Sequence, residues 1–229
     1  MQIEKLKAEF DLLQKRFGDP NLSSIYGAGC LQKPDICFVF MNPTGRNVAA
    51  DPDWQGLRAP WIGAKNVWKL FAKLNLIPEE LFQSIQTMRA DEWTPNFAQR
   101  VYQNLADHHL YVTNLSKSTQ TDARPLPNSV FIEYLPAFYE EISLIKPQCI
   151  VTFGNQVSSI ILRENIKVSE TRKKTFCFAV DQTSYPLYPT YYPVGQGMRN
   201  IDKAIEDIQW IINQKSPTHS REPINSFHR

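Results

Sequence analysis

With 229 residues the chain is long enough for one α/β domain with a substantial core and too short to make a second catalytic module a reasonable expectation. Its 25 basic and 23 acidic side chains leave a net charge of +2, and 12% of the residues are aromatic, which excludes a disordered chain and allows a nucleic-acid partner without requiring one. The longest uncharged stretches, 147–162 and 182–198, are broken by Gly, Asn, Gln, Ser or Pro, so no membrane-spanning helix and no membrane partner are expected.

The first residues mix charges from the start (Glu4, Lys5, Lys7) and carry no apolar signal core, which gives a cytoplasmic, nucleoid-associated location as the default expectation. Ile3, Leu6, Phe10, Leu13 and Phe17 recur at helical spacing and predict an amphipathic helix over 1–18, ended by Gly18-Asp19-Pro20 and packed on the body of a single domain spanning 1–214. Ile36-Cys37-Phe38-Val39-Phe40-Met41 is a continuous apolar run closed by Asn42-Pro43-Thr44-Gly45, the pattern of a strand buried on both faces followed by a turn. Similar runs lie at 110–113, 149–153 and 176–180. Helical patterns separate them: Val67 to Leu74, Phe131 to Ile145 with Pro136 predicting a kink or a later start, and Val157 to Ile161. A last helix carries Ile201, Ala204, Ile205, Ile208, Ile211 and Ile212 behind Asn200 as its N-cap, and 215–229 is predicted to be a mobile tail.

Strands alternating with helices predict an α/β fold, a three-layer α/β/α sandwich around a mainly parallel sheet of about four strands. Ligands bind such sheets at the carboxyl ends of the strands, which directs attention to Asn42–Gly45, Asn114–Lys117, Gly154-Asn155 and Tyr191–Gly195. Cys30, Cys37, Cys149 and Cys177 form no Cys-x-x-Cys pair and are expected to be buried free thiols, with no metal site.

Asn42, just past a buried strand and before a proline, can orient a water although an amide is a poor base; the same tetrapeptide also reads as an ordinary Asn-Pro turn. Asn114 offers an acceptor and two donors that suit the edge of a nucleobase, or equally a turn or helix cap. Trp61, between Pro60 and Ile62-Gly63, can stack on a base or pack in a core. Lys117, Arg124 and Arg199 are candidate phosphate contacts or solvated surface.

Taken in order, these segments resemble the uracil-DNA glycosylase superfamily over roughly 26–212. Phe40-Met41-Asn42-Pro43 resembles its first motif, in which mismatch-specific and single-strand-selective branches carry a water-positioning Asn. Gln55-Gly56-Leu57-Arg58-Ala59-Pro60-Trp61-Ile62-Gly63 is similar to the Gly-Arg-Pro-Phe-x-Gly segment of the iron-sulfur branch, whose Phe stacks on uracil. Tyr111-Val112-Thr113-Asn114-Leu115-Ser116-Lys117 resembles the strand and Asn-x-x-Lys that read the base edge. Lys146-Pro147 with Ile150–Gly154 resembles a framework segment, and Pro189-Thr190-Tyr191-Tyr192-Pro193-Val194 takes the place of Thr-x-His-Pro-Ser.

The resemblance implies a monofunctional DNA glycosylase, expected to be a monomer, that flips uracil or another damaged base out of DNA and hydrolyses its N-glycosidic bond in base excision repair. It implies Asn42 and Tyr192 as catalytic groups, Met41, Trp61 and Asn114 as base contacts, and Lys117 and Arg199 as DNA contacts. The departures are Phe40 for the family Gly, Thr44 where many relatives have Gly or Tyr, no cysteine after Lys117, and Tyr192 for the family His. No cofactor is expected, and the Tyr192 departure sustains an alternative: a family member impaired in hydrolysis that binds DNA or a nucleotide.

Overall fold

The computed structural model describes residues 2–123 and 126–215. The predicted N-terminal helix is α1 (Gln2–Phe17). Behind it come β1 (Ala28–Gly29), β2 (Ile36–Phe40), α2 (Trp68–Lys73), α3 (Glu79–Thr87), α4 (Pro95–Asp107) and β3 (Leu110–Asn114). The second half holds α5 (Asn128–Ile145), β4 (Ile150–Phe153), α6 (Asn155–Leu162), α7 (Val168–Thr171), β5 (Phe176–Val180), β6 (Thr183–Thr190) and α8 (Ile201–Lys215). Arg124 and the tail beyond Lys215 lie outside the described residues.

One six-stranded sheet runs in the order β1-β3-β2-β4-β6-β5. The four central strands are parallel, and β1 and β5 pair antiparallel at the edges. The α/β reading stands, with a corrected strand count: Phe176–Val180 is an antiparallel edge, and the fourth parallel strand is β6, whose Pro186 and Pro189 hide it because proline cannot donate to a ladder.

Period-two alternation divides the core. Ile36, Phe38 and Phe40 of β2, with Val151 and Phe153 of β4, face the layer of α2, α4 and α8. Cys37, Val39 and Ile150 face α5 and α6, and α1 packs on α5 through Leu6, Phe10, Tyr134 and Ala137. Helix α5 neither starts late nor breaks at Pro136; it begins at Asn128, and Pro136 sits on its exposed face, where water can bond the Ile132 carbonyl that loses its amide partner. Asn200 closes a 3-10 turn (Gly195–Asn200) that leads directly into α8, so it is not the isolated N-cap expected.

Among the described residues, Cys37 and Cys149 are buried and outside any disulfide as expected, whereas Cys30 is half-buried and Cys177 is exposed on β5, its Sγ 2.9 Å from Ser184 Oγ. No helix among the described residues is long and apolar enough to cross a membrane.

Candidate active site

The carboxyl ends of β2, β3 and β6 open into a cleft of about 610 Å³ whose lining includes Asn42, Thr44, Trp61, Asn114 and Tyr192. Asn42, Trp61, Asn114 and Tyr192, candidate catalytic and base-binding residues, therefore converge from four separate segments of chain.

The two amides stand at the ends of adjacent strands, Asn42 two residues past β2 and Asn114 closing β3. Asn42 Nδ2 donates to the Pro43 carbonyl at 3.1 Å, and its Oδ1 has no partner among the described residues, so it remains able to accept a hydrogen from water. Asn114, the last residue of β3, is only 1% exposed, and its Nδ2 is buried without a hydrogen-bond partner. Leaving a buried donor unpaired costs about 1–3 kcal/mol, so at the cleft the Asn114 Nδ2, like the Trp61 Nε1, is a donor free to meet an acceptor from outside the chain.

Trp61 sits on a loop pinned at each carbonyl from Leu57 to Ile62. Trp54 Nε1 bonds Leu57, Tyr26 N–H bonds Arg58, and Asn47 Nδ2 bonds Ala59. The Tyr102 hydroxyl bonds Pro60, Trp68 Nε1 and the Ala64 N–H bond Trp61, and the Val48 N–H bonds Ile62. These bonds hold Trp61 at φ 70°, a left-handed backbone that a bulky residue adopts only when its surroundings over-determine it. Its half-buried ring meets Phe40 edge-on, with centroids 5.0 Å apart.

Phe40 is the centre of the aromatic floor. It stacks on Phe153 at 4.3 Å and meets Tyr192 edge-on at 6.1 Å, so the bulky residue at the family glycine position supports both rings that line the cleft. The Tyr192 hydroxyl has no hydrogen-bond partner among the described residues, and burial pushes the phenol's pKa well above its ordinary value, keeping it a neutral donor. A side chain at Gly197 would run into the Tyr192 carbonyl, so the turn that carries Tyr192 packs back on itself closely enough to require glycine there.

Three other predicted residues stand elsewhere. Lys117 is not a DNA contact: it is fully buried, with its ammonium on Glu141, Thr113 and the Asn114 carbonyl, so no phosphate can reach it. Met41 is not among the residues lining the cleft; its side chain packs on the cluster beneath α5 and α6, and only its carbonyl is engaged nearby, by the Ser116 N–H. Arg199 is exposed outside the cleft lining, with Nε on the Gln196 carbonyl.

Sequence reasoning missed two cations at the cleft. Arg46 is exposed there without a hydrogen bond or ion pair among the described residues, and Lys65 donates to the Gln86 carbonyl. It also missed Asn47, whose side chain caps a 3-10 turn through the Ala49 N–H while holding the Trp61 loop. The signal for it was an Asx residue directly after Gly45-Arg46.

The residues present do not fit the metal cluster of the iron-sulfur branch. Ser118 stands in place of the cysteine after Lys117, with its hydroxyl 2.6 Å from that of Tyr134, and among the described residues no three His, Cys, Asp or Glu side chains gather. A family model of the uracil DNA glycosylase superfamily matches residues 26–209, which takes in every strand and each cleft residue named above. No curated protein matches the chain.

Proposed function

The chain belongs to the uracil DNA glycosylase superfamily, whose members generally are DNA-acting glycosylases, and on that ground we propose that it excises uracil from DNA as a monofunctional glycosylase. The observation that carries the reading is the unpaired Asn114 carboxamide, buried in a cleft that also holds Asn42, Trp61 and Tyr192.

Flipping a nucleotide costs a few kcal/mol, least at mismatches and in single strands, and a cleft of this size accommodates the extruded base. Asn114 supplies the donor and acceptor that read the base edge, and Trp61 supplies the stacking surface. The N-glycosidic bond breaks with its electron pair leaving on the base as an anion, while a water held by Asn42 Oδ1 adds to the sugar C1′ and loses its extra proton to solvent, from which the released base is protonated. Because an amide is a poor base, the departing charge has to be stabilised mainly by fixed dipoles, among which the Tyr192 hydroxyl is the available neutral donor. Arg46 and Lys65 supply positive charge where the phosphates beside the flipped nucleotide would lie.

The test is single-turnover incubation of a uracil-containing oligonucleotide with excess protein, read as alkali-labile abasic sites. Strand cleavage at the former uracil supports the proposal. Tight binding without abasic sites supports a family member that retains the DNA site and has lost hydrolysis, the reading that Tyr192 at the family His position favours.

A further inference from the structure

Lys117 is the strongest feature that the cleft chemistry leaves unexplained. Its ammonium is fully buried and spends all three donors: Glu141 Oε2 at 2.6 Å, Thr113 Oγ1 at 2.8 Å, and the carbonyl of Asn114. Glu141 Oε1 in turn accepts the hydroxyls of Tyr111 and Thr113, each at 2.8 Å. The Phe10 ring of α1 lies over the ammonium with its centroid at 4.7 Å and closes the network from water.

The network grips one strand. Tyr111 and Thr113 are alternate residues of β3 on the α5 side, Glu141 reaches them from α5, and Lys117 returns from the loop after the strand to hold the last carbonyl. Beyond Asn114 the chain leaves the ladder, with the Leu115 and Ser116 N–H groups on the Phe40 and Met41 carbonyls. The Asn114 peptide is thus clamped by its neighbours' amides on one side and by a charged donor on the other. Buried ion pairs are weak sources of stability compared with apolar replacements, so a fully satisfied one that ends on the backbone of a cleft residue points to positioning.

We infer that Lys117, held by Glu141, is a positioning residue that fixes the Asn114 peptide and so keeps its carboxamide aimed into the cleft; the consequence for catalysis rests on the base-reading role proposed above for Asn114.

Lys117→Met alone strands the Glu141 charge and is expected to lower the melting temperature sharply. The informative variant is Lys117→Met/Glu141→Gln, which removes both charges and keeps an acceptor for Tyr111 and Thr113. It should fold, bind uracil-containing DNA with unchanged half-saturation, and release uracil in single turnover about tenfold or more slowly, the scale expected when a reading group is misplaced. In an Asn114→Ala background the same pair of changes should have no further effect, because a group acting through Asn114 cannot act in its absence. An equal factor in both backgrounds, or an unchanged rate in the folded double variant, overturns the inference. Should the double variant fail to fold, Thr113→Val, which removes one acceptor of the ammonium and leaves both charges, replaces it in the same cycle.

A wild type that releases no uracil would overturn the functional reading, and positioning is then decided by the ¹⁵N-labelled side-chain amide of Asn114 in the free protein. Positioning predicts side-chain amide resonances displaced from those of an exposed asparagine, which move toward the exposed positions in the variant; resonances that do not move contradict it.

Discussion

Phe40 and Asn114 are the last paired residues of the parallel ladder between β2 and β3, so the two strands end side by side at the floor of the cleft. Asn42, two residues beyond Phe40, and Asn114 itself are thereby brought to one edge by the sheet. The Phe40 ring, edge-on to Trp61 and to Tyr192, sets the aromatic groups on the same floor. On the proposed reading, a base entering the cleft would meet amides held at two strand ends and rings on loops that pack against those strands, the fixed placement that such a site needs.

Removal of the Asn114 carboxamide should be costly in rate. Asn114→Ala deletes the donor and acceptor that face the base and leaves the base's own polar edge unpaired in a desolvated pocket, so the single-turnover rate on uracil should fall about 10²-fold or more. An unchanged rate would remove Asn114 from the site.

Trp61 separates stacking from packing. Trp61→Phe should keep much of the affinity for a flipped-base analogue, and Trp61→Ala should lose roughly 1–3 kcal/mol of it. Because the ring also packs on Phe40, the melting temperature is measured alongside. Lowered stability with unchanged affinity per folded molecule would assign the ring to the core alone.

The proposed donor role of Tyr192 predicts an effect on the chemical step. Tyr192→Phe should lower single-turnover excision by roughly 10- to 10³-fold, the span for loss of one useful oxyanion donor, and Tyr192→His should raise it. A silent Phe variant together with no gain from His would mean that the hydroxyl does not touch the departing base.

The same hydroxyl makes a pH prediction. Burial raises the phenol's pKa above the ordinary 10.0, so the neutral donor persists to higher pH than in an exposed tyrosine. The wild-type rate should therefore show no loss from tyrosine ionisation between about pH 7 and about pH 9.5. A decline in that window that is absent from Tyr192→Phe would show an ordinary, solvent-exposed phenol.

The central strands were legible because β2, β3 and β4 are buried on both faces and read as unbroken apolar runs. Strand β6 was not, since Pro186 and Pro189 read as turn residues, and neither was β1, which at two residues carries no period. The meeting of Asn42, Trp61, Asn114 and Tyr192 in one cleft follows from strand ends that the alternation of elements had already placed together. Lys117 was misread because its partner Glu141 lies 24 residues away on α5, beyond any local pattern. A signal did exist: Glu141 falls on the apolar stripe of Phe138, Ile142 and Ile145, where a carboxylate needs a buried partner.

The most direct measurement is single-turnover uracil release by the wild type and by Asn42→Ala on matched single-stranded and double-stranded oligonucleotides, with DNA binding measured in parallel. The glycosylase account predicts abasic sites with the wild type, faster on the single strand where flipping costs least, and a rate about 10²-fold or more lower for Asn42→Ala at unchanged DNA affinity. A wild type that binds both oligonucleotides and leaves every uracil in place, or an Asn42→Ala variant as fast as the wild type, would contradict it.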